Sequence, residues 1–362
     1  MNRKVLAFIA GTTLVAGVLT GCGTTSATNA GTGNATAGSA KPKIKIDFIF
    51  TGYSIPYFAP MAQAVQQAAK LYPNMSIQVI SAHNSSSNEI SDIKEAIANN
   101  VQGIILNPVN GAVTTAAQQA MSSGVPVITI DRDVSTPSAR VAFIGDRDVK
   151  LGQLQTQYAL QYLQQHHVPT PWNVAVLQGT LGSSTAIDRL NGAMNVLNPY
   201  IQKGKVKVVF NQSADFSTSN AQQMMSEFLA KTSNIQLVIA SNDAMALGAI
   251  TALQNAGLHP GKDVFVAGAD AQPQSLTDVQ NGTQLDTVTH SPYVEAFWAV
   301  EAIQNLLVGK VKPPQTQFPN GNIVIPMQLV TKQNASTISG WGTPAVVPSL
   351  PYGKSSAYKV HF

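Results

Sequence analysis

From residue 44 the chain alternates short runs of β-branched and aliphatic residues with stretches in which apolar residues recur every three or four positions. The first pattern reads as strand and the second as amphipathic helix. Strands are predicted at 44–50, 76–80, 103–106 and 126–130, with helices at 60–71, 87–98 and 113–122 between them. In the first helix Met61, Val65, Ala68 and Ala69 share a face. After Asp148 the same beat resumes with a helix to residue 165. Strands at 173–177, 207–210, 236–240 and 264–268 then alternate with helices at 186–196, 220–230 and 244–256. Strands that are apolar almost throughout belong to parallel sheets covered by helices on both faces. Two successive runs of this kind predict an α/β protein of two doubly wound parallel-sheet lobes.

Open sheets of this class bind ligands beyond the carboxyl ends of their strands. Polar residues gather there: Asn107, the pair Asp131 and Arg132, the pair Asn242 and Asp243, and Asp270. Four such positions at equivalent strand ends point to one binding site. Asp243 is expected instead to cap the helix at 244–256, as an aspartate before a helix commonly does.

Composition narrows the function. The chain has 362 residues, 44% hydrophobic, so it can bury sizeable cores. Only 11% are charged, with a net charge of +4 and no basic stripe, which argues against a nucleic-acid partner. Few ionisable groups predict a stability that changes little between roughly pH 3 and pH 7. The single cysteine, Cys22, excludes a disulfide scaffold. Neither a nucleophile elbow nor a phosphate-binding loop is present, so no enzymatic activity is expected. The histidines have no metal-ligand spacing and read as surface residues, so neither metal nor cofactor is expected.

The N-terminus reads as an export signal over residues 1–21. Arg3 and Lys4 precede an apolar run that ends in Leu19, Thr20, Gly21 and Cys22, which resembles the bacterial lipoprotein box. The resemblance implies that Cys22 carries a diacylglycerol thioether and holds the protein at the extracytoplasmic face of the cell membrane. Two acyl chains anchor stably where one is marginal. Residues 23–40 are Gly, Ala, Ser, Thr and Asn alone, a flexible tether that spans roughly 25 Å on average.

The folded part from 44 to 332 resembles the type I periplasmic sugar-binding proteins, the ribose-binding branch of ABC-transporter solute receptors. The resemblance rests on Tyr53 to Phe58, on Leu106-Asn107-Pro108, and on Pro126 to Arg132. It continues through Leu177-Gln178-Gly179 leading to Arg189, Ala214-Asp215-Phe216, and Asn242 to Ala249. It implies lobes formed by 44–146 with 291–326 and by 147–290 with 327–345. Hinge segments would fall near 145–147, 290–291 and 326–328. It also implies site roles. Tyr57, Phe58 and Phe216 would stack on the faces of a sugar ring. Asn107, Asp131, Arg132, Arg189, Asn242 and Asp270 would hydrogen-bond its rim, with His290 at a further contact position.

Three departures stand out. Ile55 replaces an asparagine of the ribose binders, Ala269 an aromatic residue, and His290 a glutamine. They point away from ribose toward a related hexose, pentose or polyol. The implied function is capture of that solute by a monomeric receptor and delivery to a membrane permease and its ATPase. A ligand-sensing receptor on the same fold and an anchored carbohydrate hydrolase are the alternatives. The chain from Asn334, which ends in a C-terminal tail over 346–362, extends beyond the family's usual end and receives no role.

Overall fold

The computed structural model describes residues 43–341, 346–353 and 358–359, so the expectations for the leader, Cys22 and the tether lie outside the described residues. β1 (Ile44–Phe50) is followed by α1 (Phe58–Ala69), β2 (Met75–Ser81), α2 (Ser86–Ala98) and β3 (Gly103–Asn107). α3 (Thr114–Ser122), β4 (Val127–Ile130) and β5 (Ala142–Gly145) complete the first run. Its strands form one parallel sheet, and β1, β3 and β4 lie inside it. Being covered on both faces, β1 buries Phe48 and Phe50 on one side and Ile49 on the other. The edge strand β2 buries Met75 and then alternates exposed Ser76 and Gln78 with half-buried Ile77 and Val79.

The second run comprises α4 (Asp148–Gln165), β6 (Trp172–Gln178), α5 (Ser184–Gln202), β7 (Val206–Ser213) and α6 (Thr218–Leu229). β8 (Leu237–Ala240), α7 (Asp243–Asn255), β9 (Phe265–Ala267), α8 (Pro273–Asn281) and β10 (Thr287–Val288) follow. Here the parallel order is β7-β6-β8-β9. α4 and α5 pack backbone against backbone. A Cβ on Gly152 would meet the Arg189 carbonyl oxygen at 2.2 Å, and one on Gly192 the Val149 carbonyl at 2.1 Å. That closeness sets Asp148 against Arg189.

α9 (Pro292–Leu307) returns to cover the first sheet beside α1, and β11 (Asn322–Val324) pairs with β5. β12 (Leu329–Val330) goes back to β10. The chain therefore passes between the sheets three times: between 145 and 148, between 288 and 292, and between 324 and 329. The pattern of residues had not signalled β5 or the elements after β9, which are short or, like α9, apolar nearly all round. Beyond β12 lie β13 (Val346–Val347) and β14 (Tyr358–Lys359). Val347 and Leu350 are buried in the α9 core, and the Trp298 indole donates to the Pro348 carbonyl at 2.7 Å. Residues 347–350 are thus part of the fold.

Candidate ligand-binding site

Residues just beyond several of the parallel strands reach the seam between the sheets, and some arrive in strained backbone. Asp131, Phe216 and Asp270 have φ of 60°, 56° and 102°. Aspartate tolerates this region, whereas phenylalanine rarely adopts it, and each such residue costs on the order of 1–3 kcal/mol. Held strain of this kind clusters at binding sites. Phe216 also needs Gly179 beneath it, because a Cβ there would sit 2.0 Å from the ring.

These residues surround one small cavity. It is lined by Tyr57, Phe58, Asp131, Arg132, Arg189, Phe216, Asn242, Asp270 and His290, with Ile55 and Thr185. The expected site residues are therefore brought together, except Asn107. Asn107 stands behind the cavity wall, donating to Asp131 Oδ2 at 2.9 Å and accepting from the Thr51 amide. It positions Asp131 and does not reach the cavity. The sequence could not separate the two, because both end apolar strands. Thr185 carries no such strand-end signal; it sits in the first turn of α5 and donates to the Asp131 carbonyl at 3.1 Å.

Three hydrogen bonds close the lobes on each other: Thr185 to Asp131, the Asp133 amide to Ser184 Oγ at 2.8 Å, and the Gly111 amide to the Gly182 carbonyl at 3.1 Å. In this closed state Phe58 and Phe216 flank the Arg132 guanidinium, each ring centre 5.2 Å from its carbon. Arg132 donates to the Val109 carbonyl at 3.0 Å, and its Nε is buried without a partner, 3.7 Å from Asp131 Oδ2. A wider crevice of about 710 Å³ lies alongside, edged by Asp133, Asp146, Arg147, Asp148, Lys150 and Asp188. None of the expected ligand-binding residues lines it, so the first cavity is the site.

Charge is dense at the cavity floor. Arg189 donates from Nε to Asp148 at 2.7 Å, and from Nη1 to Asp270 and to the Ser241 carbonyl, both at 2.8 Å. Its Nη2 lies 2.9 Å from His290 Nδ1, and the opposite ring nitrogen, Nε2, donates to Glu295 at 2.9 Å. Burial alone lowers the His290 pKa, but Asp146, Glu295 and Asp270 outweigh it and raise it well above the usual value. In the imidazolium form Nδ1 donates to Asp270, 3.3 Å away. Burial pushes Glu295 up to about 8 and Asp146 up to about 7, against the opposing pull of His290. His290 is thus fully enclosed, where the histidines were expected at the surface. Asp131, His290 and Glu295 also bring one donor atom each within 4.8 Å of one another, a spacing that could hold a metal ion.

Asp243 is no helix cap. Asn242 caps α7, accepting from the Met245 amide at 3.0 Å, while Asp243 is completely buried. It accepts from the Gln272 amide, Gln284 and Thr287 at 2.8–2.9 Å. Asn242 precedes the helix and Asp243 opens it, and only packing tells the cap from the internal strut.

A two-lobed receptor with aromatic rings and polar groups around one shared space is what this fold and site define. Residues 46–311 match the periplasmic binding protein domain, and the chain belongs to that family, among the type I sugar-binding receptors of ABC transporters. It is similar to the ribose import binding protein RbsB of Bacillus subtilis (strain 168), 31% identical over 70% of this chain and 79% of that one. The D-xylose-binding periplasmic protein of Escherichia coli (strain K12) is 31% identical over 74% of this chain and 78% of its own. Among solved structures, an ABC transporter solute binding protein from Bacillus halodurans C-125 with bound myo-inositol superposes with a TM-score of 0.73. It is 25% identical and covers 83% of this chain and 98% of its own.

Proposed function

We propose that this protein captures a single monosaccharide or related cyclic polyol between its lobes and hands it to an ABC-transporter permease. One observation carries the reading. Aromatic rings and hydrogen-bonding groups from both lobes converge on one small space at the seam. Closure would turn on the three passages between the sheets, with ligand shifting an open–closed balance. Lipidation of Cys22 would hold the receptor at the outer face of the membrane.

Thermal shift over pentoses, hexoses and inositols, followed by calorimetry on the hits, tests this. At least one member raises the melting temperature and binds at one site; a panel without effect defeats the reading. Cys22→Ser tests the anchor: the variant leaves the membrane fraction in a high-salt wash. Retention there would overturn lipidation.

A further inference from the structure

Beyond β12 the chain first stays with the second lobe. Ala335 is buried among Ala271, Leu276, Val279 and Val330, and the Trp341 amide donates to the Ala271 carbonyl at 3.1 Å. By Val347 it belongs to the first lobe. Val347 and Leu350 are buried in the α9 core, and the Trp298 indole donates to the Pro348 carbonyl. The Tyr352 ring lies 5.7 Å from that of Phe318, and Gly353 lies against Glu301 of α9. The chain therefore crosses between the lobes once more, after the three passages between the sheets.

Trp341 stands where that crossing begins. Its backbone is tied to the second lobe, while its buried ring packs on Tyr57 of the first, with centres 5.3 Å apart. Tyr57 in turn lines the cavity and stacks on His290 at 4.6 Å. The indole Nε1 is buried without a partner, so Trp341 acts here through the contact of its ring and not through a hydrogen bond. Parting the lobes pulls its two attachments in opposite directions. A contact made only when the lobes are together favours the closed form by its whole strength.

We propose that the C-terminal segment is a tie between the lobes. Trp341 is its positioning residue, favouring the closed form and holding the Tyr57 ring at the cavity wall. This rests on the open–closed motion proposed above and names what biases it.

Distances between nitroxide labels test it with no ligand added. Ser87→Cys in α2 and Asn220→Cys in α6 place one exposed label on each lobe, in the full chain carrying Cys22→Ser. Both sites lie in a first turn that follows the carboxyl end of a strand, on the rim of the cleft. With Trp341 present one short distance dominates, and Trp341→Ala raises the share of a longer distance at least about five-fold. Trp341→Phe keeps a ring, loses only the unpartnered N–H, and restores the original share. Trp298→Phe releases Pro348 with Trp341 in place and moves the shares the same way, which answers the question even where Trp341→Ala does not fold. Ser184→Ala with Thr185→Val removes two of the hydrogen bonds that close the lobes and serves as the control for opening. If the control opens and neither tryptophan variant does, the tie is overturned and the motion stands. A chain already mostly open with Trp341 present, and unchanged by Trp341→Ala, overturns it too. If nothing opens, the control included, the proposed motion falls with it.

Discussion

His290 and Glu295 join the segment between the lobes to the first turn of α9. Ser291 caps that helix, so the chain turns back within five residues and His290 Nε2 meets Glu295 Oε1 at 2.9 Å. The other carboxylate oxygen of Glu295 accepts from the Tyr57 hydroxyl at 3.2 Å, and the Tyr57 ring stacks on His290 with centres 4.6 Å apart. One buried carboxylate thus orients two residues of the cavity wall. Glu295→Ala leaves both without their partner and is expected to cost about 3–5 kcal/mol of stability, as breaking a buried ionic pair does. Chemical denaturation measures it, and a loss under 1 kcal/mol would show that the contact positions nothing.

Asp131→Ala removes an acceptor from the cavity wall while leaving the strand intact. Ligand affinity should fall by about 2–5 kcal/mol, with folding preserved. Calorimetry with a ligand from the thermal-shift panel decides, and wild-type affinity would move the site elsewhere.

Asp243→Ala tests the internal strut. It leaves the Gln272 amide, Gln284 and Thr287 without their common acceptor, and unpaired buried donors cost about 1–3 kcal/mol each. A loss of at least about 3 kcal/mol is expected, against about 1 kcal/mol for a lost helix cap. Urea titration separates the two.

Stability should fall as pH rises. Burial raises Glu89 and Glu295 to about 8 and Asp146 to about 7, and holds Asp243 and Asp286 well above the usual range. In the unfolded chain such groups lose their protons near pH 4. Between that value and their folded pKa the folded state binds more protons, so their contribution is complete below about pH 4 and is lost by about pH 8. His290, also raised, has the same sign from about pH 6.5 upward. The melting temperature should therefore be at least about 3 °C higher at pH 4.5 than at pH 8. A flat profile, which the low charge content alone predicts, would mean these carboxylates are not buried.

Trp341 lies beyond the two runs of strands, yet its ring centre is 5.3 Å from that of Tyr57 and its amide donates to the Ala271 carbonyl at 3.1 Å. Trp341→Ala opens a void behind the site and is expected to cost about 3–5 kcal/mol. Calorimetric melting would show it, and an unchanged transition would make the segment dispensable.

Periodicity by itself determined the two-lobed α/β architecture. An apolar strand buried on both faces looks the same in any sequence that builds it, as at 103–106 or 236–240. The chain order of strand ends likewise placed Asp131, Asn242 and Asp270 at the ligand side, because a parallel sheet sends every carboxyl end the same way. What only the tertiary structure decided are roles that depend on the last few ångströms. Asn107 and Asp131 occupy equivalent strand ends, but Asn107 turns behind the sheet edge to hold its neighbour. Asn242 and Asp243 are adjacent, yet one caps a helix and the other is sealed beneath it. Glu295, Asp146 and Trp341 carry no local pattern, since their partners come from distant elements and a buried charge leaves no trace in periodicity. Local preference acts over a few residues, whereas burial and pairing are set by which elements the fold brings together.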